Sequence, residues 1–203
     1  MHSLLIEPVR EPVLLNLSPL VRRMNDAEFR RFCQRNEGYR IEMSKEGVIE
    51  VMPPTGGESG RRNSRLTRFL DEWGEVSETG VTFDSSTLFK LPNGAKRSPD
   101  AAWVQKEIWE MLTEEERKSF PPICPNFVIE LRSDTDRLQP LKNKMQEYLD
   151  NGAQLGWLIN PAERKVYVYR PNAPVECLDD PETLSGDPLL PGFILPVARI
   201  WLK

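Results

Sequence analysis

Phe127-Val128-Ile129-Glu130-Leu131 is a short apolar run with one carboxylate inside it, bounded by Pro125 and by the polar residues 132–136. Its length and its apolar residues on both faces read as a central, buried β-strand. Glu130 is the exception, because burying an unpaired carboxylate costs several kcal/mol. Either it faces solvent at a strand end or it is paired or holds a cation. Working outward, Ser98-Pro99-Asp100 precedes an apolar strand pattern, and Lys144-Met145-Gln146-Glu147-Tyr148 lies on the helix that follows. Charged residues are rarely buried unless they are paired or hold a metal. Three of them on successive elements suggest a metal-dependent hydrolytic site, with residues 98–152 as the organising stretch.

A chain of 203 residues fits one domain with a proper core. We read residues 1–24 as an N-terminal arm and residues 25–203 as a single domain. An apolar content of 39% with 29% charged residues indicates a soluble globular protein. No stretch has the long uncharged apolar run of a membrane span, and residues 1–10 contain acid and no signal-peptide core, so a cytoplasmic address is expected. Cys33, Cys124 and Cys177 are odd in number and far apart, with His2 as the single histidine. A zinc site or disulfide framework is therefore not expected, and neither are Ser-His or Cys-His triads. The net charge of −4 is unlike that of a typical basic nucleic-acid binder. A cluster of acids holding a divalent ion would still lower the formal charge while the ion restored positive potential locally.

Asn25-Asp26 caps a short helix over 27–35, with Phe29 and Phe32 on its inner face. Residues 39–43 and 47–52 alternate apolar and polar around Ser44-Lys45-Glu46-Gly47, a hairpin signature, and Pro53-Pro54 stops the second strand. The glycine-rich loop 55–60 opens a long helix over 61–76, whose apolar stripe is Leu66, Phe69, Leu70 and Trp73. Residues 81–91 read as one strand, Asn93-Gly94 as a hairpin turn, and 97–104 as the return strand carrying Asp100. Residues 105–120 form a helical insertion with a Thr113/Glu116 capping box. A helix over 138–151 ends at Gly152, and strands follow at 155–160 and 165–170. From Pro171 the tail is Pro-rich, with a last apolar piece at 193–201. This order suggests an α/β or α+β fold, one mixed sheet flanked by helices.

Mg2+ takes oxygen ligands and keeps several waters, so Asp100, Glu130 and the Leu131 carbonyl would be a typical protein contribution. Lys144, at the border of the buried stripe, is either a snorkelling surface lysine or, beside the acids, a group that orients water and steadies phosphate charge. Gln146 and Tyr148 are candidate substrate contacts, Tyr148 with a core role as the alternative. Arg61, Arg65 and Arg68 line one helix face and either contact DNA phosphates or form a solvated stripe. The Gly56-Gly57 loop lacks the Lys-Ser/Thr of a nucleotide P-loop.

Pro99-Asp100, then Glu130-Leu131-Arg132 on a strand, then a helical lysine, resembles the PD-(D/E)XK nuclease superfamily. Residues 97–103, Glu130-Leu131-Arg132-Ser133, residues 144–148, the Gly156-Trp157-Leu158-Ile159 strand and Leu190-Pro191-Gly192-Phe193 together resemble the bacterial "putative restriction endonuclease" family of the Uma-two type. The likeness runs over about residues 26–201. It implies a restriction-endonuclease-like fold and Mg2+- or Mn2+-dependent hydrolysis of DNA phosphodiester bonds. Asp100 and Glu130 would be the metal ligands, Lys144 the catalytic lysine, and homodimers are common among such relatives. Two departures stand out. The superfamily's strand lysine is replaced here by Arg132, whose pKa is too high for a base but which can hold phosphate, so Lys144 is expected to take the lysine's place. Glu58 stands where many relatives carry His; it is either a third acidic ligand or a carboxylate favoured by the helix dipole. The alternative function is a catalytically inactive nuclease-fold protein that binds nucleic acid or a protein partner.

Overall fold

The computed structural model describes residues 13–15, 24–52 and 54–201. Pro53 and most of the expected arm lie outside these residues; from the arm, Val13–Leu15 (β1) pairs antiparallel with residues 49–51. Helix α1, Asp26–Arg35, starts at a complete capping box: the Asn25 side chain accepts from the Glu28 N–H and Glu28 accepts from the Asn25 N–H. Strands β2 (Arg40–Met43) and β3 (Ile49–Met52) form the expected hairpin, with Met43 opposite Ile49. Ile41 and Met43 pack with Phe29 of α1. Alternation sends Arg40 and Glu42 to the other face of the strand.

Helix α2 spans Gly57–Ser77, longer than the expected 61–76. The glycine-rich stretch is its first turn rather than a loop, with the Gly60 N–H donating to the Gly56 carbonyl at 2.9 Å. The expected strand 81–91 is two strands, β4 (Gly80–Asp84) and β5 (Phe89–Lys90). Asp84 Oδ1 accepts from the Ser86 N–H at 3.1 Å and from the Ser86 hydroxyl at 2.7 Å, so a side-chain-closed turn breaks the run. The return strand is likewise divided into β6 (Lys96–Arg97) and β7 (Ala101–Gln105) around Pro99, which has no N–H for a ladder. Then come α3 (Lys106–Glu110), the capped α4 (Glu114–Arg117), β8 (Phe127–Leu131), α5 (Leu138–Asp150), β9 (Leu155–Asn160) and β10 (Lys165–Tyr169). The tail adds β11 (Glu176–Asp179), β12 (Leu184–Ser185), β13 (Ile194–Leu195) and α6 (Ala198–Trp201).

These breaks change the architecture from one sheet to two large ones. A mixed sheet runs β11-β10-β9-β8-β7-β4, with β8 and β9 parallel and joined through α5. An antiparallel sheet runs β1-β3-β2-β6-β5. The chain crosses between them through α2, at the Asp84 turn and at Pro99. The expected α+β fold with a helix-flanked mixed sheet is present, and the second sheet is the addition. Among the described residues no helix is long and apolar enough to cross a membrane.

Strand β8 is buried on both faces, as its composition required. Phe127, Ile129 and Leu131 pack on Leu66 and Leu70 of α2, on Trp157, and on the tail residues Phe193 and Ile200. The Phe193 ring stacks on Trp157 at 5.8 Å, so the end of the tail, from Leu184, joins the core, while residues 171–183 stay largely exposed. Val128 faces the other way, toward Met145 and Tyr148 of α5. Glu130 shares the alternation of Val128 and therefore points toward α5. Gly80 begins β4 where a Cβ would lie 2.3 Å from the Val104 carbonyl and 2.4 Å from the Trp103 ring. Gly80→Ala is expected to lower stability by about 1–3 kcal/mol through overpacking, measured as a lower Tm with unchanged secondary structure.

Candidate active site

Pro99 ends the β7 ladder, and the side chain of the next residue takes over. The Asp100 N–H still donates to the Ile129 carbonyl at 3.0 Å, while Asp100 Oδ2 accepts the Leu131 N–H at 2.8 Å. Asp100 is thereby anchored to β8 beside Glu130, at 5% exposure. Its Oδ1 accepts from Arg40 Nη1 at 2.9 Å and from Asn63 Nδ2 of α2 at 3.3 Å. The Leu131 carbonyl lies on the same side of the strand as its N–H, toward Asp100.

Glu130, 2% exposed, meets α5. Its Oε1 lies 2.8 Å from Lys144 Nζ and accepts the Tyr148 hydroxyl at 2.9 Å. Lys144 and Tyr148 are one helical turn apart and so reach the same oxygen from one face. The structure thus brings Asp100, Glu130 and Lys144 to one place, with Tyr148 fully buried behind them.

Sequence reasoning missed Glu42. It is fully buried, accepts from Lys144 Nζ and the Ser98 N–H at 2.9 Å each, and pairs with Arg97 at 3.2 Å. Arg97 continues to Glu147 at 2.6 Å and Glu50 at 3.4 Å. No local signal marked it: Arg40 and Glu42 alternate with apolar residues as on a solvated strand face, yet that face is turned into the site.

Burial pushes the Glu130 carboxyl up, and Lys144 and Arg40 only partly offset burial and the neighbouring Asp100 and Glu42, leaving it near about 7. Burial also disfavours the Glu42 carboxylate, but there the cations Lys144, Arg97 and Arg40 win and hold it down to about 2. Lys144 is desolvated too, yet Glu130 and Glu42 raise its pKa above the usual lysine value, so its ammonium stays charged. Burial and the adjacent Glu130 hold the Tyr148 phenol well above its ordinary range.

Several expected contributors lie elsewhere. Glu58 is 65% exposed and points to Arg62 at 4.0 Å. It is one position round the helix from the Ser59/Asn63 face, so the side chain that α2 sends to Asp100 is Asn63, not a third acid. Arg65 donates to the Arg199 carbonyl and Arg62 to the Ile200 carbonyl, docking α6, and Arg68 pairs with Glu72. Arg61 is exposed. Arg132 bonds the Asp136 carbonyl and pairs with Glu163 at 3.3 Å, which turns it away from Glu130. Gln146 bonds Asp150 on the outer face of α5 but lines the larger cleft.

Two clefts meet at this cluster. One, of about 830 Å³, is lined by Asp100, Glu130, Lys144, Arg97 and Glu147; the other, of about 490 Å³, by Asn63, Thr55, Ser59, Ser133 and Thr135. Arg40, Asp100 and Leu131 belong to both. Among the described residues no three His, Cys, Asp or Glu are grouped to hold a metal ion. The donor chemistry nevertheless fits a hard cation that keeps waters: Asp100, just before β7, is held on β8 next to Glu130, and Glu130 is undercompensated by the cations around it.

A family model described as "Putative restriction endonuclease" (Uma2) matches residues 26–198. A crystal structure of a "putative nuclease belonging to DUF820" from Anabaena variabilis is similar over 88% of this chain and 97% of that one, with a TM-score of 0.69 and 20% identity. At that identity the likeness concerns the fold. No curated protein matches the sequence.

Proposed function

From a chain that belongs to the Uma2 family, "Putative restriction endonuclease", we infer a divalent-metal-dependent endodeoxyribonuclease. The observation that carries this reading is the convergence of Asp100, Glu130 and Lys144 within one cleft, with Lys144 Nζ 2.8 Å from Glu130. Asp100, Glu130 and the Leu131 carbonyl would hold Mg2+ or Mn2+, which supplies an activated water and a counter-charge for the phosphate. Lys144 orients that water and stabilises the charge that builds on the phosphate oxygens. Glu42 positions Lys144, and Tyr148 fixes the Glu130 oxygen. The substrate is DNA lying along the two clefts, with Gln146 at the rim of the larger; a homodimer would present two such sites.

Purified protein is expected to nick or linearise plasmid DNA with Mg2+ or Mn2+ and to leave it intact with EDTA. Lys144→Met is expected to lower the rate by about 10²–10³-fold in protein that stays folded at reduced stability, because Glu42 and Glu130 lose their shared cation. No cleavage of duplex, single-stranded or branched DNA with either ion would contradict the assignment. It would favour the second reading, a nuclease fold that only binds, which has its own support in the donors that already occupy both oxygens of Asp100.

A further inference from the structure

We propose that Arg40 is the resident counter-cation of Asp100, surrendered to the divalent ion and then turned onto the phosphate of the DNA strand. The inference rests on the nuclease reading above and assigns a role to a residue outside the Asp-Glu-Lys set. Three cations serve the cluster, and they are not equally tied. Arg97 pairs with Glu42, Glu50 and Glu147, and Lys144 with Glu42 and Glu130, each cation at 11% exposure. Arg40 has one carboxylate partner, Asp100, among the described residues, and its side chain is 30% exposed. It is the cation that can leave.

The oxygen it holds is also the exchangeable one. Asp100 Oδ2 is committed to the Leu131 N–H inside the sheet, whereas Oδ1 takes the side chains of Arg40 and Asn63. Arg40 Nε is buried with no partner in the described structure, as is Asn63 Oδ1. The contact with Asp100 therefore leaves part of the Arg40 fork unused. A dication on Oδ1 and a guanidinium in the same place repel each other strongly in a partly desolvated site. An anion between them removes the conflict. A phosphodiester carries two non-bridging oxygens that suit the guanidinium fork, and Arg40 lies on the wall common to both clefts. The ion thus displaces one internal ion pair, and the bridged arrangement is complete only when a phosphate of DNA lies between ion and guanidinium.

The test separates the two roles by their opposite signs. In DNA-free protein titrated with Mn2+ and followed by electron paramagnetic resonance, Arg40→Gln is expected to bind the ion about tenfold more tightly than wild type, because the competing charge is gone. The same variant is expected to cut plasmid DNA about 10²-fold more slowly. Arg40→Lys keeps the competing charge without the fork, so it should match wild type in Mn2+ affinity and still lose cleavage; it also serves if the Gln variant fails to fold. An unfolding Gln variant together with a Lys variant that cuts at the wild-type rate would overturn the proposal. Unchanged Mn2+ affinity in folded Arg40→Gln would overturn it as well, leaving the nuclease reading intact. A wild-type protein that neither binds Mn2+ nor cuts DNA would sink that reading first and the Arg40 role with it.

Discussion

Asp100→Asn is expected to reduce metal-dependent DNA cleavage by about 10³-fold or more, with the variant still folded. Asn is the same size and keeps one acceptor, which can stay on the Leu131 N–H that Asp100 Oδ2 now receives at 2.8 Å. The other position becomes an amide N–H₂ facing Arg40 Nη1 and Asn63 Nδ2, both donors. The ligand charge is lost and two donors are left facing a third. The stability cost is expected at about 1–3 kcal/mol, that of an unsatisfied buried polar contact. Plasmid cleavage beside a thermal melt separates the two effects. Wild-type cleavage by a folded Asp100→Asn protein would remove Asp100 from the site.

The second large effect falls on stability. Glu42 is fully buried and is the shared counter-charge of Lys144 and Arg97. Glu42→Gln keeps the shape but leaves both cations short of a partner, and breaking one side of a buried pair costs about 3–5 kcal/mol. For a chain of this size that corresponds to roughly 10 °C in Tm. The pH dependence gives the effect a signature. The folded-state pKa of Glu42, about 2, lies below its ordinary 4.5, so its stabilisation is present above about pH 4.5 and is lost as pH falls toward about 2. The Tm gap between wild type and Glu42→Gln should be widest near neutral pH and close in that acid window. A gap that stays constant from pH 7 to pH 3 would show that Glu42 contributes shape alone. Because Lys144 would also slacken, cleavage should fall in the same variant.

The parts of this site that a linear reading could see were those with a local cost attached. Glu130 stood out because a carboxylate in an apolar strand demands a partner, and Asp100 because it follows a proline at the start of one. Lys144 was ambiguous until those two gave it company. Arg40, Glu42 and Arg97 were not visible, because charged residues alternating with apolar ones on a hairpin look like a solvated face; only the stacking of a second sheet turns that face inward. That second sheet was itself hidden in two strands that seemed continuous. Asp84-Ser85-Ser86-Thr87 and Ser98-Pro99 are polar or proline-bearing breaks that hand the chain from one sheet to the other. The tail was underestimated for a related reason. Leu184, Leu190, Phe193, Leu195, Val197, Ile200 and Trp201 are all buried, but they are separated by turns and follow no helical or strand period. Glu58 failed as a third acid by one helical position, a difference of about 100° that spacing alone does not resolve.

Anomalous scattering from crystals soaked in MnCl2 shows whether Asp100 and Glu130 share one divalent ion. One strong peak is expected about 2 Å from a carboxylate oxygen of Asp100 and one of Glu130, with Lys144 Nζ beside it and the Arg40 guanidinium withdrawn from Asp100 Oδ1. An anomalous map without a peak at these two carboxylates, with Arg40 still on Asp100 and Lys144 still on Glu130, would contradict it.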